Sequence, residues 1–145
     1  MTIVQIKKLH PEAILPVNAY GDDAGWDLHI LEDTWINRGE GKDVHTGIAV
    51  SIPPGCYGRI IGRSSAFRKK ELMVIEGIID SGYTGELYSY VFCPVVHKPS
   101  KGVMLKRGDS VAQLIITSVP KVEWQEVDKL PNTERGDKGF GSSGR

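Results

Sequence analysis

Five segments of this 145-residue chain gather residue types that can do chemistry. AGWDL (24–28) sets an acid, Asp27, inside an apolar alternation, and GRSSA (62–66) sets a guanidinium beside two hydroxyls. GIIDSGYTGEL (77–87) runs an apolar strand into Asp80, a Ser-Gly turn, Tyr83 and a second strand. RGDSVAQLI (107–115) is a turn feeding a strand that carries Gln113, and RGDKGFGSSG (135–144) lies at the end of the chain. A carboxylate can orient a water and take its proton. A guanidinium with small hydroxyl residues at a turn suits phosphate oxygens. Each segment also has a plain structural reading. Asp27 could bond a loop, Gly62–Ser65 could be a turn with Ser64 or Ser65 capping a helix, and Asp80 could form a hairpin Asx turn. Arg107-Gly108-Asp109 reads better as a turn between strands than as an adhesion tripeptide, Arg68-Lys69-Lys70 as a solvated face, and the Gly-rich end as a mobile tail or an appended linker.

The elements that must position these residues are strands. Gly 17 and Pro 8 punctuate the chain at short intervals. Between them lie stretches of period-2 alternation at residues 2–7, 26–30, 48–52, 56–61, 72–79, 86–96, 111–117 and 121–127. Many short strands with turn signals predict an all-β sandwich or barrel. Helical periodicity is confined to one short turn near residues 65–71. No repeat or internal boundary is visible up to Leu130. From Pro131 onward the strand pattern stops, so residues 1–130 are expected to form the body and 131–145 a flexible arm.

Composition removes several function classes. Apolar residues at 40% and charged residues at 25% exclude bulk disorder. Lys+Arg 18 balances Asp+Glu 18, so the chain lacks the electrostatic footprint of a general nucleic-acid or membrane-surface binder. Apolar runs are too short for a membrane helix, and MTIVQIKKLH lacks the pattern of a secretory signal. Cys56 and Cys93 have no zinc spacing and read as free core thiols. The four histidines are scattered, which makes a structural metal site an unfavoured reading. A cytoplasmic setting, in a cell or an infected host cell, is expected.

All five segments together, in this order, resemble the five motifs of the trimeric dUTPase family. The resemblance runs from about residue 24 to 144 and is most specific in GIIDSGYTGEL and the terminal RGDKGFGSSG. Arg135, Gly139, Phe140 and Gly141 fall on motif positions that an appended linker would not supply. The resemblance implies a jelly-roll-like β-sandwich of the β-clip type and a homotrimer with sites shared between subunits. It implies Mg²⁺-dependent hydrolysis of dUTP to dUMP and pyrophosphate, limiting uracil in DNA and supplying dUMP for dTMP synthesis. Asp80 would activate the water attacking the α-phosphorus, and Tyr83 would lie against the deoxyribose and exclude a 2′-hydroxyl. The backbone of residues 74–79, with Val74, Ile78 and Ile79, would read the uracil edge, and Tyr88 would join the pocket. Arg63, Ser64, Ser65 and Gln113 would hold phosphates. Arg135 would approach the γ-phosphate, Phe140 would cover the base, and Gly141 and Ser142 would belong to the closing arm. Mg²⁺ would be held through triphosphate and waters, with Asp27 at most in its outer shell.

Two positions depart from the family pattern. Gly62 stands where a proline usually precedes the Arg-Ser pair, and Ser65 where a glycine usually follows. The loop AFRKKELMVIE departs as well. The related dCTP deaminases, which share the fold, carry a Glu ten positions after the motif-three Asp, where this chain has Tyr90. A role as a regulatory protein-binding relative is the other alternative; intact Asp80, Tyr83 and tail favour retained hydrolysis.

Overall fold

Strands form where inward and outward residues alternate most cleanly. In β8 (Glu86–Phe92), Leu87, Ser89 and Val91 are buried while Tyr88 and Tyr90 face out. The computed structural model describes residues 1–96 and 100–139, and its regular structure is β apart from one short helix. The first strands are β1 (Gln5–Lys8), β2 (Trp26–Leu28), β3 (Thr34–Asn37), β4 (Gly41–Ser51) and β5 (Cys56–Gly62). Helix α1 (Ser64–Lys70) follows, then β6 (Met73–Ile75), β7 (Gly77–Ile79), β8, β9 (Gly102–Leu105) and β10 (Ala112–Ser118).

Every ladder is antiparallel. One four-stranded sheet runs β1-β4-β8-β6, a second runs β2-β10-β5-β7, and β3 pairs with β9 in a ribbon. Leu28, Ile48, Val50, Ile60, Leu87 and Leu114 come from both four-stranded sheets and form one buried cluster. A second cluster, with Ile36, Val44, Leu72, Val91 and Leu105, adds Ala66 and so fixes the ribbon and α1 to the rest. No helix among the described residues is long and apolar enough to cross a membrane. Cys93 is buried and Cys56 partly so, and both are free thiols.

Several sequence expectations need correction. Residues 72–79 are two strands in two different sheets, with Glu76 as the single residue between them. Strand β8 stops at Phe92, two residues before Pro94, whose missing N–H cannot serve a ladder. Residues 121–127 form no strand: all are exposed, and their alternation has no partner strand on which to pair. Strands β3 and β9 were not anticipated, and β4 begins at Gly41 rather than near Ile48. The helix falls where expected, but neither serine caps it. Arg63 is the N-cap residue, without a side-chain cap bond, and Ser64 and Ser65 are the first helical residues.

The helix ends on Glu71 in the left-handed region (φ 57°), a conformation that costs a non-glycine residue about 1–2 kcal/mol. The Glu71 N–H donates to the Phe67 carbonyl at 2.9 Å, and its carboxylate pairs with Arg38 Nη2 at 2.8 Å. The Arg107-Gly108-Asp109 segment is a turn, as its plain reading held. Arg107 pairs with Glu12 at 2.9 Å, and Asp109 Oδ2 accepts from Lys70 Nζ at 3.1 Å and the Lys106 N–H at 3.0 Å.

Leu87 is fully buried in the cluster that joins the two sheets. Leu87→Ala is expected to destabilise the protein by about 2–5 kcal/mol, the range for truncating a core leucine. Urea denaturation at fixed protein concentration measures it.

Candidate active site

The two-sheet crossing at residues 73–79 opens a cleft. Strand β6 pairs with β8, Val74 opposite Val91 and Ile75 opposite Tyr90. One residue later the chain joins β5, Ile78 opposite Arg59 and Ile79 opposite Gly58. The cleft between has a volume of about 290 Å³. Ile60, Ile78, Ile79, Tyr88 and Tyr90 give it an apolar wall, with Asp80 and Tyr83 at the turn that follows β7. That turn is closed by the Tyr83 N–H donating to the Asp80 carbonyl at 3.0 Å. The backbone oxygen closes the turn, so the expected Asx role of the Asp80 side chain gives way, and the carboxylate stands exposed. β7 is an edge strand, so one rim of its backbone has no ladder partner among the described residues.

A second cleft, of about 400 Å³, lies between β2, β10 and the start of α1. Its polar groups are Asp23, Asp27, Arg63, Ser64 and Gln113. The antiparallel register sets Gln113 opposite both Asp27 and Ile61, which puts these side chains on one face of the sheet. Asp27 Oδ1 forms an ion pair with Arg63 Nε at 2.9 Å, and the Ser110 carbonyl accepts from Arg63 Nη1 at 3.2 Å. The guanidinium is thus held at Nε and Nη1, and Nη2, which takes part in neither contact, is its open side. Gln113 Nε2 donates to the Gly62 carbonyl at 3.4 Å. Gly25 gives the Gln113 amide its room, because a Cβ there would require that side chain to shift. Ser64 and Ser65 begin the helix, where N–H groups have no carbonyl one turn back.

The predicted site residues therefore fall into two groups. Asp80, Tyr83, Ile78, Ile79 and Tyr88 line the first cleft, while Arg63, Ser64 and Gln113 line the second. Val74 lines neither, its side chain packing between the two core clusters, and Ser65 also stands off the second cleft. Arg135 is exposed and outside both clefts, with its Nε donating to the Lys138 carbonyl at 3.0 Å. Phe140, Gly141 and Ser142 lie outside the described residues. Among the described residues, none lines both clefts. Residues not anticipated as site residues include Tyr20, Asp23 and Gly25 in the second cleft and Glu86 and Tyr90 in the first, while Glu76 lies in the expected 74–79 segment. Tyr90 crosses Gly41, where a Cβ would overlap its hydroxyl, so an aromatic fills the deaminase acid's position.

Among the described residues no three His, Cys, Asp or Glu side chains are grouped to hold a metal. The polar cleft instead offers two carboxylates, and Asp27 is already engaged with Arg63. Such a donor set suits Mg²⁺ that keeps its waters and takes most ligands from a phosphate chain.

An apolar-walled cleft carrying the exposed Asp80 carboxylate, together with a polar cleft carrying a half-held guanidinium, defines a β-protein equipped for a nucleotide-like ligand. The dUTPase family pattern matches residues 11–144. The deoxyuridine 5′-triphosphate nucleotidohydrolase of Corynebacterium glutamicum is 38% identical over 147 residues, covering 100% of this chain and 97% of the relative. The Staphylococcus bacteriophage 80alpha dUTPase with dUPNHPP superposes with a TM-score of 0.89 at 28% identity, covering 100% of both chains. A dUTPase variant from phage phi11 of S. aureus, whose structure reveals coordination of a structural Mg(II) ion, gives 0.82 at 25% identity, over 88% of this chain and 97% of that one. The chain belongs to the dUTPase family and is a hydrolase of nucleotide metabolism.

At the mouth of the first cleft, Glu76 Oε1 accepts from Arg59 Nε at 2.5 Å, which holds the Glu76 carboxyl below its ordinary value of 4.5. A lowered folded-state pKa gives stability that is present above the unfolded value and lost as pH falls through the folded one. Glu76→Gln is expected to lower the melting temperature slightly at pH 7, with the difference from wild type vanishing at pH 3. Thermal melts of both proteins across that range check it.

Proposed function

We propose that the protein hydrolyses dUTP to dUMP and pyrophosphate, with the base and sugar in the apolar cleft and the triphosphate in the polar one. The observation that carries this reading is the pairing of Asp80 and Tyr83 on one turn of the apolar cleft. That turn lies next to an edge strand whose free backbone can read the uracil rim. Tyr83 packs against the deoxyribose and leaves no room for a 2′-hydroxyl. Asp80 orients a water against the α-phosphorus and takes its proton as the new P–O bond forms. The bond to the bridging oxygen breaks, and pyrophosphate leaves. Arg63, kept in place by Asp27 and the Ser110 carbonyl, presents its open edge to phosphate oxygens, with Ser64, Ser65 and Gln113 as further donors. Mg²⁺ held by the triphosphate would supply charge neutralisation there, and Asp23 and Asp27 are the cleft carboxylates that would accept from its waters.

The working unit is a jelly-roll-like homotrimer, with one chain's apolar cleft completed by another's polar cleft. Two facts support this. The clefts share no lining residue among the described residues, and the stretch after β10 exposes Val119, Val122, Trp124, Val127 and Leu130, an apolar series a lone chain leaves wet. Residues 131–145 act as an arm that closes over the bound nucleotide, with Arg135 and Phe140 contributing charge and stacking. The setting is cytoplasmic, where removing dUTP limits uracil in DNA and provides dUMP for dTMP synthesis.

Pyrophosphate release measured across dUTP, UTP, dCTP and dTTP tests the reading, with dUTP alone expected to turn over efficiently. Asp80→Asn should lower kcat by about 10²–10⁴-fold with dUTP binding retained, the usual cost of losing a general base. Residual turnover above a tenth of wild type would remove Asp80 from that role. Truncation after Leu130 should leave the sedimentation mass of a trimer and an unchanged melting temperature, while kcat falls by about ten-fold or more. A truncated protein working at full rate would make the arm dispensable.

A further inference from the structure

We propose that Glu86 is a positioning residue that fixes the Tyr83 ring and thereby sets discrimination between deoxyribose and ribose; this rests on the dUTP reading above. Glu86 is the first residue of β8, and three groups converge on it. Its Oε1 accepts from the Gly47 N–H at 2.9 Å, and its Oε2 lies 3.1 Å from His45 Nδ1. Its main-chain carbonyl accepts from the Tyr83 hydroxyl at 2.9 Å. The same residue thus ties one strand to another through its side chain and holds the cleft aromatic through its backbone.

The tie lies where the sheet cannot supply one. The β4–β8 ladder pairs His45 with Tyr88 and then Ala49 with Glu86, so the register slips between those pairs. Gly47 sits inside that slip with φ +69°, a conformation that suits glycine, and its N–H turns to the Glu86 carboxylate. The first residue of β8 is therefore held against β4 both by its ladder pair with Ala49 and, across the slip, by its side chain. The Tyr83 ring depends on this stretch twice. Its hydroxyl bonds the Glu86 carbonyl, and its ring edge fills the space above Gly85, where a Cβ would lie 2.5 Å from the hydroxyl oxygen. His45, on the other carboxylate oxygen, also faces Tyr88 with ring centroids 5.9 Å apart. Releasing the carboxylate frees the start of β8, moves the carbonyl and Gly85, and lets the Tyr83 ring yield to a 2′-hydroxyl.

The test measures kcat/KM for dUTP and for UTP by pyrophosphate release in the full-length wild type, Glu86→Ala and Glu86→Gln, alongside thermal melts. Glu86→Ala should raise the UTP-to-dUTP ratio by about ten-fold, with a smaller change in dUTP kcat, since small displacements of a positioning group are felt in discrimination. Glu86→Gln should restore the wild-type ratio, because its amide oxygen can still accept from Gly47. Glu86→Asp, which keeps the charge but is one methylene short, should show the same rise as the alanine variant and replaces it if that variant does not fold. An unchanged ratio in the folded alanine or aspartate variant, or an equal shift in the glutamine variant, overturns the inference alone. A wild-type chain that fails to turn over dUTP overturns the underlying reading and the inference with it.

Discussion

Residues 73–79 must leave one sheet and enter the other through the single residue Glu76. Most of the functional geometry depends on that constraint. A chain that switches sheets so abruptly cannot keep the two sheets in contact at the switch, and the gap becomes the apolar cleft. The same switch makes β7 an edge strand, which leaves backbone donors and acceptors facing the gap. The turn after β7 then delivers Asp80 and Tyr83 to its mouth. Packing on either side makes the switch tolerable: Val74 anchors β6 between both core clusters, and Ile79 anchors β7 against the cluster that joins the sheets.

The polar cleft is organised by restraint instead of by shape. Arg63 is a flexible side chain at the end of β5, and alone it would lose much of its advantage to conformational entropy on binding an anion. Asp27 and the Ser110 carbonyl remove part of that cost before any ligand arrives. Asp27 is thus better understood as the partner of Arg63 than as a metal ligand in waiting. The exposed ion pair adds little to folding in its own right. Its value lies in where it leaves the guanidinium.

Much of this was legible in the sequence, and the reasons are specific. Strands β5, β8 and β10 carry enough alternation that their existence and starts could be read directly, although β8 ends four residues earlier than its pattern suggests. The ribbon of β3 and β9 could not: each strand has four residues, and Trp35 pairs with Met104, a partner distant in the chain. The first half of β4 was hidden because Lys42, Asp43 and His45 face outward and leave only Val44 and Thr46 as an inward signal. Residues 121–127 misled in the opposite direction, since alternation reports a propensity and a partner strand decides the outcome. For the site, motif order named the candidate residues but not their grouping into two clefts, which follows from sheet order. Glu86 and Gly25 act through contacts with residues far away in sequence, and a single sequence carries no mark of such contacts. The serine cap failed for a related reason: Arg63 keeps an extended backbone (φ −70°, ψ 150°), its N–H donating to the Val111 carbonyl at 2.8 Å, and so takes the cap position itself.

The separation of the two clefts has a consequence for inheritance. Where one chain's turn works against another chain's guanidinium, a lesion at Asp80 and a lesion at Arg63 are defects in different halves of different sites. Two such alleles expressed together would build mixed assemblies, each with one site drawing its turn and its guanidinium from undamaged halves. Each allele would be null alone, and the pair would be partly functional. A single cleft closed within one chain would allow no such complementation.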